Sequence, residues 1–333
     1  AAQLEAADRT RRLLLADVSH ELMTPLTAMR GYIETLKEMG ELRELTGVDL
    51  DLEVGALTER SAEKKGPALL FSKFTGYPDG FRVISNVFRT CKRTGPAMGI
   101  NAENGVDYLY AWRKKLAGYK PVPVEQVEGG PVFENQMGEA DVDLYKFPVP
   151  KWHDRDGGPY IGTGCGVITK DPESGKINIG TYRVMVQDKN HVSVKMNMGK
   201  HGRLAFERAR DAGKALPIAI TLCQGPAVFL AAQMPLPPDV NEFEFAGYLQ
   251  GAPVPVARGA VTGLPIPANA EIVIEGLIDT AVLEPEAPFG ESHGHVALEE
   301  FNMPMRVTAI THRKDAIVAS YLSQVTPSES SAI

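Results

Sequence analysis

The sequence predicts an α+β protein: an N-terminal α/β domain followed by a β-barrel. Three observations carry this. Helical and strand periodicities alternate from Arg30 to Tyr119. Beyond Pro131, short apolar runs bounded by turn residues follow one another with few helical interruptions, the pattern of an antiparallel barrel. Glycine and proline are plentiful, 32 and 24 of 333 residues, as a chain with many tight turns requires.

The elements follow in order. Helices are predicted over 30–39 and 52–64, and in the second Val54, Leu57 and Ala62 recur at helical spacing. Strands are predicted around 68–72 and 81–86. Residues 101–116 read as a third helix, with Tyr108, Leu109 and Trp112 packing on one core-facing side. Residues 117–131, rich in proline and glycine, read as a linker. Strands are then expected at 161–169, 179–187, 192–198, 217–222, 227–232, 271–279, 305–312 and 316–323, with helices at 203–213 and 240–249. Asp188-Lys189-Asn190 reads as a short hairpin loop, and Arg313-Lys314-Asp315 as another.

Composition excludes some classes. A net charge of -7 and a pI near 5.6 argue against a nucleic-acid partner held by counterion release. The most apolar stretch, Pro217–Pro237, is broken by Gln224-Gly225-Pro226, so no membrane span is expected. The three cysteines, Cys91, Cys165 and Cys223, are widely spaced without a C-x-x-C, which indicates neither a zinc site nor a disulfide framework. With no secretory signal read, a cytoplasmic location fits. Cys165, in G-T-G-C-G-V, reads as a small buried residue.

Six residues concentrate the chemistry: Asn178, Arg183, His201, Glu242, Glu286 and Glu291, in the contexts N-I-G-T-Y-R, G-K-H-G-R, N-E-F-E-F-A-G and E-A-P-F-G-E. An amide oxygen, an imidazole and a carboxylate from Asn178, His201 and Glu242 suit a hard-to-borderline dication such as Mn²⁺ or Mg²⁺. Arg183 is a permanent planar cation suited to holding a carboxylate. Glu286 and Glu291 lie five apart, and close carboxylates repel, so one can keep a proton and serve as an acid. Taken singly, each has an ordinary reading. Glu242, three residues after Asp239, would complete a helix-start capping box. His201 would be a solvated loop residue, Asn178 a turn residue, Arg183 a surface ion-pair partner, and the two glutamates surface charges. One tension is local: Asn178 and Arg183 are an odd number apart and would face opposite sides of a regular strand, so the strand must begin after Asn178 or bulge at Gly180.

Together these four motifs, in order, resemble the UbiD family of decarboxylases, which use prenylated flavin mononucleotide (prFMN). The resemblance runs from about Arg30 to the last residue. It implies an FMN-binding split β-barrel over 121–333 after an α/β domain over 30–120. It implies cofactor contacts from Asn178, Thr181, Tyr182, Arg183, Lys195, Met196, Asn197, Lys200, His201 and Glu242. Within that set, Asn178, His201 and Glu242 would bind the metal, Mn²⁺ or Mg²⁺, with K⁺ as a candidate second ion. The catalytic set would be Arg183, Glu286 and Glu291, with Glu291 as proton donor in a reversible, non-oxidative decarboxylation of an aromatic or α,β-unsaturated acid. A flavin prenyltransferase would supply the cofactor, and the whole protein would be a homo-oligomer, dimer or hexamer. Relatives continue into a C-terminal α/β domain that is missing here, so the chain alone is expected not to turn over.

The first residues match something else. Leu15–Thr27, L-A-D-V-S-H-E-L-M-T-P-L-T, resemble the H-box of sensor histidine kinases, with His20 as phosphoacceptor, Pro25 near it, and Met23 where a basic residue is usual. No kinase ATP-binding domain follows, so residues 1–29 read as a chimeric fragment. Three rivals stay open: an FMN-dependent reductase on a similar barrel, which would not need the acid pair; an inactive subunit; and a phosphotransfer fragment.

Overall fold

The computed structural model describes residues 28–330 apart from Glu103, Glu286 and residues 298–300. His20 and the rest of the kinase-like motif lie outside the described residues. In chain order the elements are α1 (Met29–Glu38), β1 (Leu42–Thr46), α2 (Glu53–Glu63), β2 (Ala68–Ser72), β3 (Arg82–Ser85), α3 (Cys91–Ala97) and α4 (Gly105–Ala117). The middle of the chain holds β4 (Glu125–Gln126), β5 (Asn135–Gly138), β6 (Tyr160–Gly162), β7 (Gly166–Lys170), β8 (Ile177–Gly180), β9 (Val184–Val186) and β10 (His191–Val194). Then come α5 (His201–Asp211), β11 (Leu216–Leu222), α6 (Pro226–Ala231), α7 (Glu242–Gln250), β12 (Pro255–Arg258), β13 (Pro265–Pro267) and β14 (Ile272–Ile278). β15 (Phe289–Gly290), β16 (Val296–Ala297), β17 (Met303–His312) and β18 (Ile317–Ala319) complete the set.

The N-terminal part is an α/β layer. Its sheet runs β1-β2-β3-β18, and α1 buries Met29, Tyr32, Ile33 and Leu36, an i, i+3, i+4, i+7 stripe. The fourth strand comes from the far end of the chain: β18 pairs parallel with β3. Arg313–Asp315 is therefore a crossing between sheets, not a hairpin loop, and 316–323 does not extend the barrel. Glu271 ties the layers together. It is fully buried at the start of β14, takes a bidentate pair from Arg30 Nε and Nη2 (2.8 Å each) and accepts the Ile317 N–H at 3.2 Å.

The large sheet has nine strands, in the order β6-β9-β10-β17-β14-β11-β7-β8, with β5 pairing β17. Its strands are buried on both faces. Val167, Ile218, Ile220 and Ile274 join one core cluster, while the alternate residues Ile168, Ala219 and Val273 join the other, under α6 and α7. The sheet must curl. β8 lies at one end and β9 next to the other, six strand spacings away, about 29 Å if flat. Yet only Thr181–Arg183 separate them, a link reaching about 14 Å. The two ends therefore come back toward each other, giving an open half-barrel.

Several sequence expectations fail for identifiable reasons. Residues 227–232 are helical, not a strand: Gly225 at φ 94 turns the chain and Pro226 starts α6, whose residues are all buried. A short run apolar on every side has no period to read. The expected strands at 161–169 and 179–187 are each two strands, broken at 163–165 and 181–183. The 101–116 helix begins at Gly105, capped by Asn104 Oδ1, and Leu109 is 60% exposed, so only Tyr108 and Trp112 pack inward. The 117–131 linker contributes β4, which pairs parallel with β12.

Candidate functional site

The site lies where the curled sheet meets itself. The link Thr181–Arg183 is strapped on both sides: Thr181 N–H donates to Ala232 O (3.1 Å), Cys165 Sγ to Tyr182 O (3.1 Å), and Lys195 N–H to Arg183 O (3.1 Å). The Tyr182 ring fills a slot between two glycines, since a Cβ on Gly180 or Gly202 would meet it at 2.8 or 2.9 Å. Its hydroxyl accepts the Gly202 N–H at 3.0 Å. The parity conflict between Asn178 and Arg183 thus resolves in a third way. The strand neither starts after Asn178 nor bulges at Gly180. Asn178 is on β8, and Arg183 lies beyond that strand's end, immediately before β9.

A cavity of about 530 Å³ opens beside this link. Asn178, Thr181, Tyr182, Arg183, Lys195, Asn197, Lys200, His201, Glu242 and Glu291 all line it, together with Ala232–Leu236, Phe289 and Tyr321. One described residue named from the sequence does not. Met196 is 3% exposed and packs in the core, because its side chain alternates inward from Lys195. Glu286 lies outside the described residues. Asn178, His201 and Glu242 also border a second cavity of about 490 Å³, so they stand on the wall between the two.

Two helix starts face the cavity. His201 opens α5, whose N-cap Lys200 makes no side-chain capping bond, leaving a positive helix end toward the space. Glu242 opens α7. The expected capping box from Asp239 does not form: Asn241 is the N-cap, its Oδ1 accepting Phe243 N–H (2.9 Å) and Glu244 N–H (3.2 Å). Glu242 is left to point inward, 7% exposed, with the Ile179 N–H at 3.4 Å. Burial pushes its carboxyl up to about 7.

Asn178 Nδ2 and Thr181 Oγ1 are buried without a hydrogen bond, and Glu242 has no ion pair among the described residues. A half-turn of the Asn178 amide presents oxygen in place of nitrogen. A buried carboxylate, a half-buried amide and the exposed His201 imidazole, beside Lys195, Lys200 and a positive helix end, fit a dication next to a phosphate-bearing cofactor. Among the described residues no three His, Cys, Asp or Glu gather at one point, so such a metal depends on the amide as third ligand.

At the other side Glu291 follows β15. Arg183 Nη1 donates to Glu291 Oε1, and the guanidinium lies 4.9 Å from the centroid of the Phe289 ring. Arg183 is 9% exposed and Glu291 25%, a half-sheltered pair facing the cavity. Cys165 is fully buried, its thiol pushed up to about 12 by burial, as suits a packing residue.

Fold and cavity define an α+β protein with an anion-accepting site at the closure of a half-barrel. Residues 124–325 match the 3-octaprenyl-4-hydroxybenzoate carboxy-lyase Rift-related domain, and 33–113 match the N-terminal domain of the same carboxy-lyases. The chain belongs to the UbiD family. Residues 10–52 also match the His Kinase A phospho-acceptor domain, overlapping the N-terminal match. Pyrrole-2-carboxylic acid decarboxylase of Pseudomonas aeruginosa is 33% identical over 313 residues, covering 91% of this chain and 63% of the relative. The chain therefore spans less than two thirds of that relative's length. Among solved structures, vanillic acid decarboxylase of Sedimentibacter hydroxybenzoicus in closed form superposes with TM-score 0.86 at 29% identity, covering 92% of this chain and 66% of that one. An evolved dimeric form of the UbiD-class enzyme HmfF from Pelotomaculum thermopropionicum, in complex with prFMN, gives 0.81 at 30%, covering 91% and 68%. Among the described residues no helix is long and apolar enough to cross a membrane.

Proposed function

We propose that this chain carries the cofactor-binding and acid-base half of a prFMN-dependent decarboxylase acting on a small aromatic or α,β-unsaturated carboxylic acid. The observation that carries the reading is the single cavity in which Arg183 and Glu291 face Asn178, His201 and Glu242. Relatives named as decarboxylases, and a UbiD-class enzyme in complex with prFMN, support it.

In this reading Asn178, His201 and Glu242 hold Mn²⁺ or Mg²⁺, and the α5 N-terminus with Lys200 and Lys195 holds the phosphate. When bound, prFMN supplies a sink for the electron pair left as the bond to the carboxylate breaks. The protein's own residues do the rest. Arg183 aligns Glu291 through its Nη1 bond. The carboxyl of Glu291, in its protonated form, gives its proton to the substrate carbon that has lost carbon dioxide, becomes carboxylate, and regains a proton from water. Glu286, five residues earlier in the sequence, would tune that acid. Run backwards, the same groups support carboxylation. A prenyltransferase supplier, a K⁺ ion and a homo-oligomeric whole protein belong to the same proposal.

The test joins this chain to the part of the Pseudomonas aeruginosa relative that it does not match, with a flavin prenyltransferase co-expressed. Mass spectrometry should find prFMN, and pyrrole-2-carboxylate, vanillate or related acids should release carbon dioxide. Ordinary FMN bound without metal dependence, with no release from any acid, would overturn the reading in favour of a reductase.

A further inference from the structure

Glu291 reaches the cavity from β15–β16, a two-strand hairpin that is not part of the large sheet. Two ladder positions join its strands, Phe289 with Ala297 and Gly290 with Val296, so its place in the molecule is set from outside. The segment from His153 to Tyr160 does this. Asp156 Oδ1 accepts the Gly290 N–H at 2.9 Å, the Gly157 N–H donates to Pro288 O at 2.8 Å, and the Tyr160 hydroxyl donates to Ala287 O at 2.9 Å. The approach is close enough that a Cβ on Gly157 would lie 1.9 Å from Ala287 Cβ.

Asp156 is 3% exposed and does not line the cavity. A buried carboxylate persists only when its oxygens are hydrogen-bonded. Oδ2 meets the His153 N–H at 3.0 Å and His153 Nδ1 at 3.1 Å, both local. Among the described residues, its one hydrogen bond to a distant part of the chain goes to the amide immediately before Glu291. From there the contacts run on to the acid. Phe289 packs on Tyr160 with centroids 4.3 Å apart, and the Arg183 guanidinium rests on Phe289.

We propose that Asp156 is the positioning residue for the acid loop: it fixes Gly290, and through it the bearing of Glu291 on Arg183. This rests on the reading of Glu291 as the proton donor. Nothing in the sequence flags Asp156, which sits in an ordinary polar turn, H-D-R-D-G-G.

The test is hydrogen exchange on the 333-residue chain. Asp156→Asn keeps the shape but turns one acceptor into a donor. It should speed exchange in the peptide covering 287–297 about tenfold, with β11 and β14 peptides unchanged. Should Asp156→Asn not fold, Asp156→Ser, whose shorter hydroxyl draws the acceptor back from Gly290 and can turn its own hydrogen aside, carries the same readings. Unchanged exchange at 287–297, or a rise spread equally over the barrel, overturns the proposal. In the completed enzyme the same variant should lower kcat about tenfold or more while flavin affinity holds; affinity falling in step with kcat would overturn it too. A completed wild type that releases no carbon dioxide defeats the functional reading instead, and leaves the exchange result standing.

Discussion

The buried carboxylate of Glu242 gives the sharpest quantitative expectation. Burial lifts its carboxyl from 4.5 to about 7, and no cation among the described residues offsets that burial. The folded state therefore binds this proton more tightly than the unfolded chain. The sign follows: the contribution is fully favourable below the unfolded value and is lost as pH rises from 4.5 through about 7. At about 1.36 kcal/mol per pKa unit, the metal-free protein should lose about 2–3 kcal/mol between pH 5 and pH 8 through this one group. Glu242→Gln carries no such proton, so its stability relative to wild type should rise by that amount over the same range. Urea unfolding of the metal-free chain at several pH values measures the difference. Adding Mn²⁺ at pH 8 should restore wild type and leave Glu242→Gln where it was, since a ligand stabilises only the state it binds. Parallel pH curves for the two proteins would refute the burial argument. Equal stabilisation of both by Mn²⁺ would refute Glu242 as a ligand.

Three further outcomes are expected. Glu291→Gln in the completed enzyme should keep flavin and lose turnover by about 10²–10⁴-fold, the usual contribution of a positioned acid; near-normal kinetics would move the role to Glu286. A limited pulse of iodoacetamide should label half-buried Cys91 and spare Cys165, whose thiol is buried and pushed up to about 12, and mass spectrometry of the peptides decides between them. Removing residues 1–27 should leave flavin binding and the thermal midpoint unchanged, because α1 starts at Met29 and is already packed in the N-terminal core; a clear fall in the midpoint would show that the kinase-like segment belongs to the fold.

Most of the residues that line the cavity were legible in the sequence because their motifs are local. N-I-G-T-Y-R, G-K-H-G-R and E-A-P-F-G-E each carry the side chains proposed to act within a few residues, and a resemblance can rest on them. The amphipathic helices α1 and α2 were legible for the same reason: one face is wet, so the period of 3.6 shows. Where both faces are buried the period vanishes, and α6 read as a strand. Strand partners are a non-local matter, so nothing in residues 316–323 announced that they would leave the half-barrel for β3. The odd spacing of Asn178 and Arg183 posed a problem the sequence could state but not solve. Only the curl of the sheet, which brings β8 and β9 close enough for three residues to join them, puts both side chains on one cavity. The clasp of Asp156 on Gly290 belongs to the same class, since it joins residues 134 apart in the chain. Residue type set which groups could bind and transfer a proton; closure of the sheet, a property of all its strands together, decided which of them meet.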